Sequence, residues 1–154
     1  MNKKLSKNRG FTLIEILVVI GIIAVLAAIV IVAINPARQF AQARNTQRSS
    51  NVETILNAVG QNLADNKGVF TCPGETVPIS PASADNIGTG SGNVNLASCL
   101  VPTYVPAIPF DPTGGSSTDT LYTIVVDTVG RYTVCAPNGA EGAIAGSTAI
   151  CLTR

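Results

Sequence analysis

The side chains able to do chemistry are few and unevenly placed. One carboxylate, Glu15, stands alone near the start of a long apolar run, and four cysteines, Cys72, Cys99, Cys135 and Cys151, are spread over the remainder. The 154 residues include no His and no Trp, which removes imidazole-based catalysis and the commonest transition-metal ligand. Ser and Thr are plentiful, yet without a positioned base none reads as a nucleophile. Asp111, Asp119, Asp127 and Glu141 are scattered acids. The run Gly88-Thr89-Gly90-Ser91-Gly92 invites a phosphate-loop reading, but no strand precedes it, no helix follows and no Lys sits nearby, so a flexible turn is expected. No enzyme, no cofactor and no metal follow from this inventory.

Glu15 and the cysteines are placed by very different segments. The first ten residues carry Lys3, Lys4, Lys7 and Arg9 and no acid. Phe11 to Ile34 is then an apolar run of 24 residues broken only by Thr12, Glu15 and Gly21. The uninterrupted part, Ile16 to Ile34, would rise about 29 Å as a helix, close to the hydrocarbon thickness of a bilayer. The leader cations hold the N-terminus in the cytoplasm, so the body is exported. Three fates are open to such a segment. It could be a secretory signal cut near Ala27, Ala28 or Ala33, an uncleaved anchor, or a span in which Glu15 later acquires a partner. The overall charge of +1, with 12% charged residues, gives no clustered basic surface for nucleic acid.

Arg9-Gly10-Phe11-Thr12-Leu13-Ile14-Glu15, between a basic leader and an intact apolar span, resembles the processing motif of type IV prepilins and type II secretion pseudopilins. The resemblance implies that a membrane prepilin peptidase cuts after Gly10 and N-methylates Phe11. It makes Glu15 the acid that pairs, in an assembled bundle, with the Phe11 ammonium of a neighbour and so sets register. The implied partners are further copies of the chain, the peptidase, an inner-membrane assembly platform and, before assembly, the lipid bilayer. The precursor would span the cytoplasmic membrane once, and the filament would lie at the cell surface or in the periplasm. Cleavage would lower Lys plus Arg from 10 to 6 against 9 acids, a balance of −3. A filament subunit of the pilus type leads. The alternatives are a pseudopilin of a type II secretion or DNA-uptake filament, and an anchored binding domain that never polymerises.

Beyond the span, Val52, Ile55, Leu56, Val59 and Leu63 recur at helical spacing, and Asp65-Asn66-Lys67-Gly68 supplies a stop with Gly68 or Asn66 as left-handed cap. One helix from about Phe11 to Ala64 is expected, kinked at Pro36 and weakened at Gly21, where helices could also approach closely. The family commonly has a proline in this stem, about a turn earlier than Pro36. The domains read as leader 1–10, polymerisation helix 11–35, amphipathic half 36–66 and exported head 67–154. Within the head, 73–98 reads as a long, loose connection rich in Pro and Gly, including Pro78 and Pro81, and Val101 to Pro112 as an extended surface run. The latter, and the helix exit, also resemble the segments before the sheet in pseudopilin-like domains.

Leu121–Val126 and Arg131–Cys135, joined by Asp127-Thr128-Val129-Gly130, read as a hairpin, and Ala149–Leu152 as a third strand after the Pro137–Gly146 loop. The fold class is therefore α+β, a long N-terminal helix packed on a small three-stranded antiparallel sheet. So small a head needs staples. Four exported cysteines allow three pairings. Cys72–Cys99, tying the loop, with Cys135–Cys151, linking strands, is preferred, each worth about 3 kcal/mol in the chain-entropy model. The absence of His and of any Cys-x-x-Cys pair argues against zinc. Some related pseudopilins bind calcium in the C-terminal loop, but this chain has no dense run of oxygen ligands, so none is expected.

Overall fold

The computed structural model describes residues 10–77 and 84–154. The leader cations, Pro78 and Pro81 lie outside the described residues. The chain divides into two compact units, residues 1–39 and 40–154. The first holds helix α1, Leu13–Ile34, and the start of α2, Pro36–Asp65. The expected single helix is instead two, and the break has a local cause. Asn35 takes the left-handed conformation (φ 48°, ψ 80°) as the last residue after α1, one of the few side-chain-bearing residues that do so readily. Its Oδ1 and carbonyl then both accept from the Arg38 amide, at 3.3 and 3.1 Å, so the same residue caps the start of α2. Pro36 occupies the first helical position, where its missing N–H costs nothing. It therefore starts a helix and does not kink one, and α1 runs through Gly21 unbroken.

The second unit is the α+β body. From Phe40 onward α2 buries Ala41, Arg48, Val52, Ile55, Leu56, Ala58 and Val59, which extends the expected buried stripe by about three turns towards the N-terminus. The helix stops by a left-handed Lys67 (φ 59°) followed by Gly68 (φ 86°), whose amide reaches the Leu63 carbonyl at 2.7 Å. The left-handed position is thus Lys67 with Gly68 and not Asn66. Asn62 pins the returning chain with a reciprocal pair to Thr71, its Oδ1 accepting from the Thr71 amide at 2.9 Å and its Nδ2 donating to the Thr71 carbonyl at 3.1 Å.

Four antiparallel strands, in the order β1 (Asp85–Asn86), β2 (Thr123–Val126), β3 (Tyr132–Ala136) and β4 (Ile150–Thr153), form the sheet, one more than expected. Tyr122, just before β2, and Ile124 within it, with Val134 and Ala136 of β3, join the α2 stripe in the core and are fully buried. The extra strand comes from the segment expected to be loose. There, Asp85 and Asn86 pair with Ile124 and Thr123, Ile87 bridges to Val94, and helix α3 (Ala97–Leu100) follows. Ile87, Val94, Leu96 and Leu100 are core residues. The glycine run turns at residues 91–92 as expected, but its first two glycines are packed: a Cβ on Gly88 would lie 2.3 Å from the Thr118 carbonyl oxygen, and the Gly90 amide donates to that oxygen at 2.9 Å. The expected extended run from Val101 turns at residues 101–104 and then tucks Val105 and Asp111 inside.

A cleft of about 250 Å³, mostly apolar, lies between α3 and the loops around it, with walls that include Ile87, Leu96, Ile108 and Phe110. Asn95 is on its wall, and Asn95 Oδ1 is the one buried side-chain polar atom without a hydrogen-bond partner among the described residues. Such an orphan is destabilising. Asn95→Leu, nearly isosteric, should stabilise the head by about 1 kcal/mol, measured by thermal unfolding; an unchanged or lowered midpoint would argue that the amide is satisfied.

Candidate functional site

Chemistry is concentrated where the chain enters α1. Gly10 and Phe11 lie outside any helix, and Phe11 is 85% exposed. Thr12, with extended backbone (φ −82°, ψ 153°), is the N-cap. Its hydroxyl accepts from the Glu15 amide at 3.3 Å, while Glu15 Oε2 accepts from both the Thr12 amide and the Thr12 hydroxyl at 2.8 Å. This is a reciprocal capping box, which satisfies helix-terminal donors in pairs and puts the carboxylate at the positive end of the helix dipole. The Thr-x-x-Glu spacing carries that signal in the sequence, where Thr12 registers only as an interruption.

Behind the box, α1 presents 22 residues, none of them buried, with a mean hydropathy of 3.5 over its best window. That is long and apolar enough to cross a bilayer, at about 33 Å. Glu15 is its only charged residue. Among the described residues no side chain of α1 is buried.

The cysteines are structural. Cys72 and Cys99 are bonded (Cα–Cα 5.0 Å), as are Cys135 and Cys151 (4.1 Å). The second pair sits directly opposite across β3 and β4. Tyr132 and Arg154 exchange both backbone bonds, so by alternation Cys135 and Cys151 occupy a non-hydrogen-bonded site, where facing side chains come closest. Among the described residues no thiol is free and no group of three acidic or cysteine side chains could hold a metal.

Two of the scattered acids converge. Arg48, 1% exposed, donates from Nε to Asp111 Oδ2 at 2.7 Å and from Nη2 to Asp111 Oδ1 at 3.1 Å. Its Nη1 reaches Glu141 Oε1 at 2.5 Å and Asn45 Oδ1 at 2.9 Å, and Nη2 also reaches Thr113 Oγ1 at 3.1 Å. All five guanidinium N–H groups are thereby used. Arg44 adds a two-pronged bond to Glu141, at 2.6 and 2.7 Å. This clasp fastens α2 to the loop before β2 and to the loop before β4. It went unread in the sequence because its members are 63 and 93 residues apart. The available signal was periodic, since Arg48 lies one turn before Val52 on the apolar stripe.

The clasp fixes the charge states. Arg44 and then Arg48 hold the Glu141 carboxyl down at about 2. Burial pushes the Asp111 carboxyl up, but the Arg48 bond and the Thr113 amide outweigh it and leave it below its ordinary value. Depressed carboxylates stabilise the fold above their unfolded pKa, and the contribution is lost as pH falls through the folded one. The head should therefore hold its melting temperature down to about pH 4.5 and lose it steeply from there towards about 2. Glu141→Gln should flatten that fall, and equal slopes in the two proteins would remove the clasp from the account.

With this geometry in place, the prokaryotic N-terminal methylation motif matches residues 5–31. The match takes in the Gly10–Phe11 bond, the capping box and most of α1. Neither a curated protein nor a solved structure matches the chain. The chain thus carries the type IV prepilin-like signal, that of a pilin-like or pseudopilin precursor. The signal implies processing by a prepilin peptidase and membrane anchoring through the apolar helix.

Proposed function

We propose that the chain is a structural filament subunit: a precursor cut after Gly10, N-methylated on Phe11 and polymerised through α1. The observation that carries this reading is an apolar helix with no side chain buried among the described residues, whose single charge lies inside the matched methylation motif, one turn past the proposed cleavage point. As a precursor the helix rests in lipid, with Glu15 held by Thr12. Cleavage removes the leader cations and creates an ammonium on Phe11. In a bundle of α1 helices the Glu15 carboxylate of one subunit meets the Phe11 ammonium of the next. In a low dielectric either charge alone is costly, so the pair selects one axial register. The head, held by its clasp and two disulfides, decorates the outside. The filament is of the pilus type, with a pseudopilus as the second reading. Both use the same helix.

Mass spectrometry of the mature N-terminus tests the reading. A chain beginning at N-methyl-Phe11 supports it, and retention of Met1 or a start near Ala28 or Ala33 rejects it. Electron microscopy of material sheared from cells then separates surface filaments from a short periplasmic assembly.

A further inference from the structure

We propose that Thr12 is a positioning residue for processing: its hydroxyl fixes where α1 begins and so keeps the Gly10–Phe11 peptide outside the helix, with the Gly10 carbonyl taking no helical bond from the Ile14 amide. The inference rests on the cleavage proposed above and adds a residue to it. Thr12 is the last non-helical residue before α1, its carbonyl accepts the first helical bond from the Ile16 amide at 3.3 Å, and its hydroxyl accepts from the Glu15 amide. A peptide bound for cleavage must offer its carbonyl to attack and its amides to the enzyme, which extended chains do. Inside a helix the carbonyl of residue i is taken by the amide of residue i+4. Were α1 to begin two residues earlier, with Gly10 as its cap, the Gly10 carbonyl would accept from the Ile14 amide and the bond to be cut would be tied down. Gly10 is itself a serviceable cap, so nothing at Gly10 forbids the shift. What opposes it is the Thr12 box, because the Glu15 amide would have to leave the Thr12 hydroxyl if the helix began earlier.

The two halves of the box then serve different steps. Glu15 is an acceptor for the Thr12 amide and hydroxyl. Its removal leaves the Thr12 hydroxyl still capping the backbone amide of residue 15, so the helix start is kept and cleavage continues. Loss of the Thr12 hydroxyl leaves Glu15 charged and free to pair, but moves the helix start. Thr12 belongs to processing and Glu15 to assembly.

The test compares full-length precursor, Thr12→Val and Thr12→Ser in detergent with a prepilin peptidase. Thr12→Val should lose about fivefold in kcat/KM, the value of one cap. The loss should appear in KM, because the helix-shifted population withholds the competent form. Thr12→Ser, which keeps the hydroxyl, should stay within about twofold of the unaltered chain. Amide exchange supplies a second readout: the Ile14 amide should gain protection in Thr12→Val as it acquires the Gly10 carbonyl. Cleavage of Thr12→Val at the unaltered rate, or Thr12→Ser as slow as Thr12→Val, overturns the inference. An unaltered chain that is never cut after Gly10 overturns the processing reading itself, and this inference with it.

Discussion

A chain carrying Glu15→Ala should be exported, lose its leader and yet build almost no filaments, with assembly reduced on the order of a hundredfold. The reasoning is electrostatic. Before cleavage the carboxylate is occupied by Thr12, with both contacts at 2.8 Å, so it is tolerable near a membrane interface. In the proposed filament each cleaved subunit would bring an ammonium at Phe11 into a bundle of apolar helices, and methylation would leave that charge in place. Without Glu15 every added subunit would bury an unmatched cation. The helix itself should be intact, because the Thr12 hydroxyl still has an amide at residue 15 to cap. The measurement is the mass of filament sheared from cells, set beside the fraction of chain cleaved. Normal filament numbers from fully cleaved Glu15→Ala would end the register argument.

The second large effect is expected in the head. Arg48→Met should destabilise it by about 3 kcal/mol, since breaking a buried ion pair leaves one charge uncompensated. The Asp111 side chain is fully buried, and Arg48 supplies two of its hydrogen bonds. For a head of 115 residues, 40–154, that loss lowers the melting temperature by roughly 12 °C or more. Thermal unfolding followed through the tyrosines, of which Tyr122 is buried and bonded to Asn51 at 2.9 Å, reads the effect directly. Adding Asp111→Asn should recover part of it, because the stranded charge is gone. A single variant that melts with the unaltered protein would show that the clasp contributes nothing net, which buried pairs sometimes do.

The sequence made the apolar helix, the amphipathic stripe, the hairpin and the α+β class legible, because each rests on local periodicity or turn chemistry. Its errors fall where longer-range contacts decide. The strand at Asp85–Asn86 is two polar residues long and exists through its partners Ile124 and Thr123, so no propensity announces it. Gly88 looked like a flexible residue, whereas it is glycine because the Thr118 backbone comes too close for a side chain. At Asn35-Pro36 the proline signals the break, but the residue before it makes the turn: Asn35 adopts the left-handed conformation and ends one helix while capping the next. Of the candidate site, Gly10, Phe11 and Glu15 were readable from motif and position. The capping role of Thr12 and the meeting of Arg48, Asp111 and Glu141 needed coordinates.

The position of the clasp along the chain has a mechanical consequence. In the proposed filament, tension would grip each subunit by α1 and enter its head along α2. The earliest cross-links between α2 and the rest of the head are those of Arg44, Asn45 and Arg48, to Glu141, the Gly139 carbonyl and Asp111. Past the buried Ala41, the force would therefore meet several short charged bonds arranged to share it, before it reaches the large apolar side chains from Val52 onward. Those loops are backed in turn by the Cys135–Cys151 bond, which ties the last strand to its neighbour. A head built this way resists having its helix drawn out, and the same cluster that melts in acid is the one that strain would test first.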